Sequence, residues 1–197
     1  MFSNHIFKEP LLLASTSPRR AEILSSAGWP FEIVKGSVDE SLREGEAADA
    51  YVRRLARDKA MNAAANLRAG LILAADTTVV IDDEILGQPE DDDDARRMLT
   101  MLSGKTHEVL TGVALVRAEN PSTLIVDHET TRVRFSSMSQ DEIDWYVATG
   151  EPRGKAGAYA IQGRAALFID GVEGDYFNIV GLPIRLVYKL AREIRKQ

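Results

Sequence analysis

No cysteine occurs among the 197 residues. Disulfides and thiolate metal sites are therefore excluded, and the composition fits a reducing compartment. No apolar run approaches the length of a membrane span. The opening MFSNHIFKEP has neither the basic start nor the apolar stretch of a secretory leader. A soluble, cytoplasmic protein is the expectation. Positive charge is also short: 24 Lys and Arg stand against 30 Asp and Glu, a net charge of −6, which argues against broad nucleic-acid binding. The histidines His107 and His128 show no H-x-x-x-H pairing, so a histidine metal site is not expected. There is no Walker A sequence, and the glycine-rich passage Gly154–Gly163 does not fit a dinucleotide fingerprint. Repeats, low-complexity tracts and linkers are missing too, and one domain over 1–197 is expected.

What is present is organised around LLLASTSPRRAEIL, Leu11–Leu24. The apolar run Leu11–Ala14 reads as a buried strand. Ser15-Thr16-Ser17 breaks it, and Pro18 stands at the first helical position, where its missing N–H costs nothing. Ser17 is the expected N-cap. A helix N-terminus presents free N–H groups and a positive dipole end, which suit an anion. Arg19 and Arg20 are cations placed at that unfavourable end, and their forked donors match phosphate oxygens. The turn reads as a polyphosphate cradle.

Further along, Phe31–Val34 reads as a strand and Gly36–Gly45 as a polar loop carrying Asp39 and Glu40. A helix is expected from about Asp49 to Leu67, with the stripe Val52, Leu55, Ala56, Ala60, Ala63 at helical spacing. Lys59 points along that stripe, either snorkelling from its edge or reaching in to hold phosphate. Leu71–Ala75 is apolar at every residue and reads as a strand covered on both faces. Asp76 ends that run, where α/β folds tend to place ligand chemistry, and Thr77–Ile81 continues extended.

The acidic Glu90–Asp94 opens a helix, where it complements the dipole. Val109–Val116 and Leu124–Phe135 read as β segments around a Glu119–Ser122 turn. Ser139 and Glu142 form a capping box. Ala165–Ile169 reads as a strand, Asp170–Gly174 as a turn, and Gly181-Leu182-Pro183 as the start of a last helix. Alternating strands and helices with late hairpins define an α/β fold, a mixed twisted sheet with flanking helices.

The groups able to hold phosphate are Ser15, Arg19, Arg20, Lys59 and Lys155, and the acids are Glu40 and Asp76. Carboxylates can hold Mg²⁺, which keeps waters and bridges phosphates. One carboxylate can orient or deprotonate a water, and the cations offset phosphate charge. A non-covalent polyphosphate hydrolase is the chemically coherent reading.

With LLLASTSPRRAEIL, the stretches YVRRLARDKA (Tyr51–Ala60), LAADTTVV (Leu73–Val80), LSGKTHEVLTGVAL (Leu102–Leu115), KAGAYAIQG (Lys155–Gly163) and IVGLP (Ile179–Pro183) span nearly the whole chain. In this order they resemble the Maf-type nucleoside triphosphate pyrophosphatases, a family first named for septum formation. Ser-x-Ser-Pro-Arg-Arg resembles the dTTP/UTP branch. The resemblance implies two lobes around a nucleotide cleft, similar to inosine-triphosphate pyrophosphatases, and cleavage between the α- and β-phosphates with a divalent metal, Mg or Mn. It implies Asp76 as proton acceptor and Glu40 with Asp76 on the metal. Ser15, Arg20 and Lys59 would hold phosphate, while Arg19, Thr77 and Gln162 would tune base selection.

The implied partner is a nucleoside triphosphate, with neither nucleic acid nor membrane, and the family suggests a homodimer and a link to cell-division arrest. The chain departs from the family at Gln88, before Pro89, where members usually carry Lys. An amide there offers a donor without charge. The alternatives are another base preference, such as 7-methyl-GTP, and a nucleotide-binding regulator with little catalysis.

Overall fold

The computed structural model describes residues 10–35 and 38–196. The amino-terminal segment read above for a leader lies almost wholly outside the described residues, as do Gly36 and Ser37 of the polar loop. Among the described residues no helix is long and apolar enough to cross a membrane.

Leu11–Leu13 (β1) lies between Phe31–Ile33 (β2) and Leu71–Ile81 (β3), parallel to both, with Leu13 level with Ile33 and Leu73. Two helices make the connections, Pro18–Ser26 (α1) and Ala48–Ala64 (α2). Glu84–Leu86 (β4) turns back antiparallel on β3. Asp92–Leu102 (α3) leads to the long strands Thr106–Arg117 (β5) and Asn120–Phe135 (β6). Gln140–Ala148 (α4), Ile169–Glu173 (β7), Tyr176–Val180 (α5) and Ile184–Ile194 (α6) complete the chain. The result is the expected mixed α/β sheet, seven strands in the order β2-β1-β3-β5-β6-β7 with β4 beside β3.

Two compact units share these strands. The first holds the described residues up to Asp76, Thr111–Glu129 and those from Gly181 onward; the second holds Thr77–Leu110 and Thr130–Val180. Each has its own core. In the first, Ala56, Ala60, Ala63 and Ala64 of α2 meet Ala14, Ala74 and Ala114 from the strands. Side chains this small let a helix sit close to a sheet. In the second, Leu99, Leu102, Phe135, Tyr146 and Phe168 form the centre. His107 is buried there against Tyr159, 2.9 Å from its hydroxyl, and burial pulls its pKa down to about 4.

Several local expectations hold. The capping box at Ser139 and Glu142 is formed, and Asp91 caps α3 through Asp94 N at 2.8 Å. Others need correcting. Ser17 occupies the N-cap position without a side-chain cap bond; its N–H donates to Ser15 Oγ at 3.2 Å instead. Asp76 does not end a strand, because β3 runs on to Ile81. The turn between β5 and β6 is tighter than expected, since both strands extend towards Ala118-Glu119.

Ala165–Ile169 is not a strand: Arg164–Phe168 is a 3₁₀ turn, and β7 occupies the residues expected to turn. Glu151 explains that turn. Its carboxylate accepts from Arg164 N at 3.1 Å and Ala165 N at 3.4 Å, and from the Tyr146 hydroxyl at 2.8 Å. A long-range side-chain acceptor replaces the ladder partner, and local propensity cannot register it.

Candidate active site

β1 stops at Leu13 while β3, level with it at Leu73, continues for eight residues. Asp76 therefore sits beyond the covered end of β1, beside the Ser15–Ser17 turn. This is the position at the carboxyl ends of parallel strands where ligand sites form in α/β sheets. Asp76 is buried, with its side chain 11% exposed. Lys59 lies on the sheet-facing stripe of α2, and its Nζ donates to Asp76 Oδ1 at 2.7 Å and stands 2.7 Å from Glu40 Oε1. Of the two uses left open for Lys59, reaching inwards is the one observed: its side chain is 13% exposed.

Arg20 ties the same region together. Its Nη1 donates to Ser15 Oγ at 3.0 Å and to Ala75 O at 2.7 Å, and its Nε to Gly181 O at 2.8 Å. The residue expected to hold phosphate is thus also a clasp on three segments, the turn after β1, β3 and the approach to α6. Arg19, half-buried on the same first turn, opposes the Arg20 charge. Burial lowers the Arg20 pKa, with Asp76 pulling the other way; a guanidinium stays charged regardless.

Burial raises the Asp76 pKa from the ordinary carboxylate value, opposed by Lys59 through charge and hydrogen bond and by Arg20 through charge, while Glu40 adds to the rise. Desolvation and a neighbouring acid against two cations is how a carboxylate becomes a usable base.

Five of the sequence-derived residues, Ser15, Arg20, Glu40, Lys59 and Asp76, are thus connected within the first unit. Thr77, Lys155 and Gln162 belong to the second. There Thr77 is half-buried on β3, Gln162 is exposed, and Lys155 Nζ donates to the carbonyls of Glu151 at 2.6 Å and Arg153 at 3.3 Å. Gln88 is exposed.

Sequence reasoning missed the pair Arg54 and Glu46. On a regular helix Arg54 points about 200° away from Val52, to the face opposite the apolar stripe, yet it is 7% exposed. The 38–46 loop folds over that face. Nothing in the periodicity of α2 announces a cover supplied by a loop.

Two solved structures share the fold. The Ham1 protein of Staphylococcus aureus superposes with a TM-score of 0.54 at 11% identity, over 94% of this chain and 99% of that one. A HAM1 protein from Coxiella burnetii gives 0.51 at 15% identity, over 95% and 99%. Residues 10–194 match the model of the family described as Maf-like protein, and the chain belongs to that family. Among its relatives, a Symbiobacterium thermophilum protein is 49% identical over 89% of both chains. A Koribacter versatilis protein is 50% identical over 92% of this chain and 93% of its own. A Moorella thermoacetica protein is 50% identical over 91% and 92%. All three are named dTTP/UTP pyrophosphatase.

Proposed function

We propose that this protein hydrolyses nucleoside triphosphates, dTTP and UTP before others, to the monophosphate and pyrophosphate. The substrates come from the names of relatives about half identical over nine-tenths of both chains. The observation that supports the chemistry is the buried Asp76 carboxyl held 2.7 Å from Lys59 Nζ, next to the Arg20 clasp.

In this reading water attacks the α-phosphorus, Asp76 takes its proton, and pyrophosphate leaves. Lys59, Ser15 and Arg20 hold the phosphates and offset the charge that builds up, and Lys155 is likewise read as a phosphate holder. Arg19, Thr77 and Gln162 select the base. A divalent cation, Mg²⁺ or Mn²⁺, fits the donor set. Glu40 and Asp76 already converge on one positive charge, the Lys59 ammonium, and Mg²⁺ needs only one or two carboxylates when phosphates complete its shell. Among the described residues no group of three or more ligating side chains converges. When bound, the cation would stabilise charge on the transferring phosphate. Glu40 and Asp76 would hold it. The setting that suits these substrates, and a chain without cysteine, is the cytoplasm.

Product analysis tests the reading. With Mg²⁺ or Mn²⁺ and a panel of canonical and modified nucleotides, dTTP and UTP should be consumed fastest and give monophosphate plus pyrophosphate. Diphosphate plus phosphate would overturn the mechanism, and nucleotide binding without turnover would favour a regulator. In the same assay Arg19→Ala should change the ratio of kcat/KM between UTP and GTP by about tenfold or more. Equal loss on every nucleotide would make Arg19 a plain phosphate clamp.

A further inference from the structure

The loop that carries Glu40 has no regular secondary structure between Val38 and Ala47, so side chains must fix its path. Asp39 Oδ1 accepts from Ser41 N at 2.9 Å and from its hydroxyl at 2.6 Å. The Tyr51 hydroxyl of α2 donates to Glu40 O at 2.9 Å. At the centre stands Arg54. Its Nε and Nη2 fork onto Glu46 Oε1 and Oε2 at 2.6 and 2.7 Å, Nη2 also reaches Ser41 O at 3.0 Å, and the guanidinium lies 5.5 Å from the Tyr51 ring centre. Both partners are enclosed, with side-chain exposures of 8% and 10%. Held this way, the loop sets the exposed Glu40 carboxylate 2.7 Å from Lys59 Nζ.

Two features separate this pair from an ordinary stabilising contact. A buried ion pair contributes little net stability, because desolvating both charges offsets their attraction. And the guanidinium also donates to the carbonyl of the residue that follows Glu40. We propose that Arg54 is a positioning residue for the divalent-cation site: with Glu46 it fixes the backbone of the 39–46 loop and thereby keeps the Glu40 carboxylate beside Asp76. The inference rests on the reading of Glu40 as a metal-holding residue.

The experiment uses the full chain and two readouts. One is the Mg²⁺ concentration that half-saturates UTP hydrolysis. The other is Mn²⁺ binding, followed by electron paramagnetic resonance, in the presence of a non-hydrolysable α,β-methylene UTP analogue. Glu40→Gln and Arg54→Met should each weaken metal affinity about tenfold or more in both readouts, the usual effect of losing a ligand's support. The double variant should be no worse than Glu40→Gln alone, since Arg54 acts through that carboxylate.

Arg54→Met leaves Glu46 buried without its partner and could unfold the chain. Arg54→Met/Glu46→Leu removes the whole pair, keeps the melting point, and should weaken metal binding to the same degree. Unchanged metal constants in that variant would overturn the proposal, as would losses that multiply with Glu40→Gln. An undiminished metal requirement in Glu40→Gln itself would instead sink the underlying reading of Glu40.

Discussion

Asp76→Asn should fold, bind nucleotide and turn over about a thousandfold more slowly, within the range of 10² to 10⁴ that a positioned general base contributes. Asn matches Asp in shape and can still accept from Lys59 through its carbonyl oxygen, but it cannot take a proton from water. Stability should not fall with activity. Burial raises the Asp76 pKa above its unfolded value, so near neutrality the ionised form costs folding energy, and a neutral isostere removes that cost. Melting curves and turnover measured together separate the two effects. Undiminished turnover would remove Asp76 as the proton acceptor.

On the same proposal, Asp76 should set the acid limb of the pH profile. The base must be ionised, so activity should rise with pH through a pKa higher than that of an ordinary Asp. Lys59 lowers that pKa by charge and by hydrogen bond. Lys59→Met should therefore move the acid limb to higher pH, besides weakening phosphate binding. A limb that stays in place would place the titrating group elsewhere.

Gly112→Ala should be the most damaging small substitution in the first unit. A Cβ there would lie 2.2 Å from Val52 O, 2.4 Å from Val52 C and 2.9 Å from Arg53 N. All three are backbone atoms of α2, and no side-chain rotation relieves them. A loss of about 3 kcal/mol or more is expected, or about 6–12 °C in melting temperature for a chain of this size. Activity should suffer too, because α2 carries Lys59. Gly87 provides the control: a Cβ there meets nothing within 4 Å, and Gly87→Ala should change stability by less than about 1 kcal/mol. Equal tolerance at both positions would refute the close approach of α2 to β5.

The contrast between these glycines shows what was legible. The stripe of Val52, Leu55, Ala56, Ala60 and Ala63 is legible as the apolar face of a helix, and it places Lys59 along that face; the closeness of α2 to β5 is not read from it. The Ser-Thr-Ser-Pro-Arg-Arg turn is read from rules that act within a few residues, and so is the capping box at Ser139. Asp76 is legible as a carboxylate at the edge of an all-apolar run. What escaped depends on partners distant in sequence. Ser15 rather than Ser17 organises the turn, because Arg20 comes back to it from the helix. Glu151 turns a segment that looks like a strand into a 3₁₀ turn. Arg54 is buried by a loop whose path no periodicity encodes. Base selection by Arg19, Thr77 and Gln162 is what the motif resemblance implies; local physical rules mark Arg19 only as an anion-binding group and do not mark Thr77 or Gln162.

The division of the chain into units has a consequence for biosynthesis. The backbone passes from one unit to the other after Asp76, Leu110, Glu129 and Val180, so neither unit corresponds to a continuous stretch of message. During translation the second unit has all its segments once Val180 has been added. The first unit, although it begins earlier, still lacks Gly181, the acceptor for Arg20 Nε, and the buried Leu186, Val187, Leu190 and Ala191 of α6. Its strands must wait for a helix encoded after the whole of the other unit, a long-range closure that slows folding. The unit that carries the Arg20 clasp therefore becomes complete after the other, although it begins first, and a truncated product ending before Gly181 would lack one of the three acceptors of that clasp.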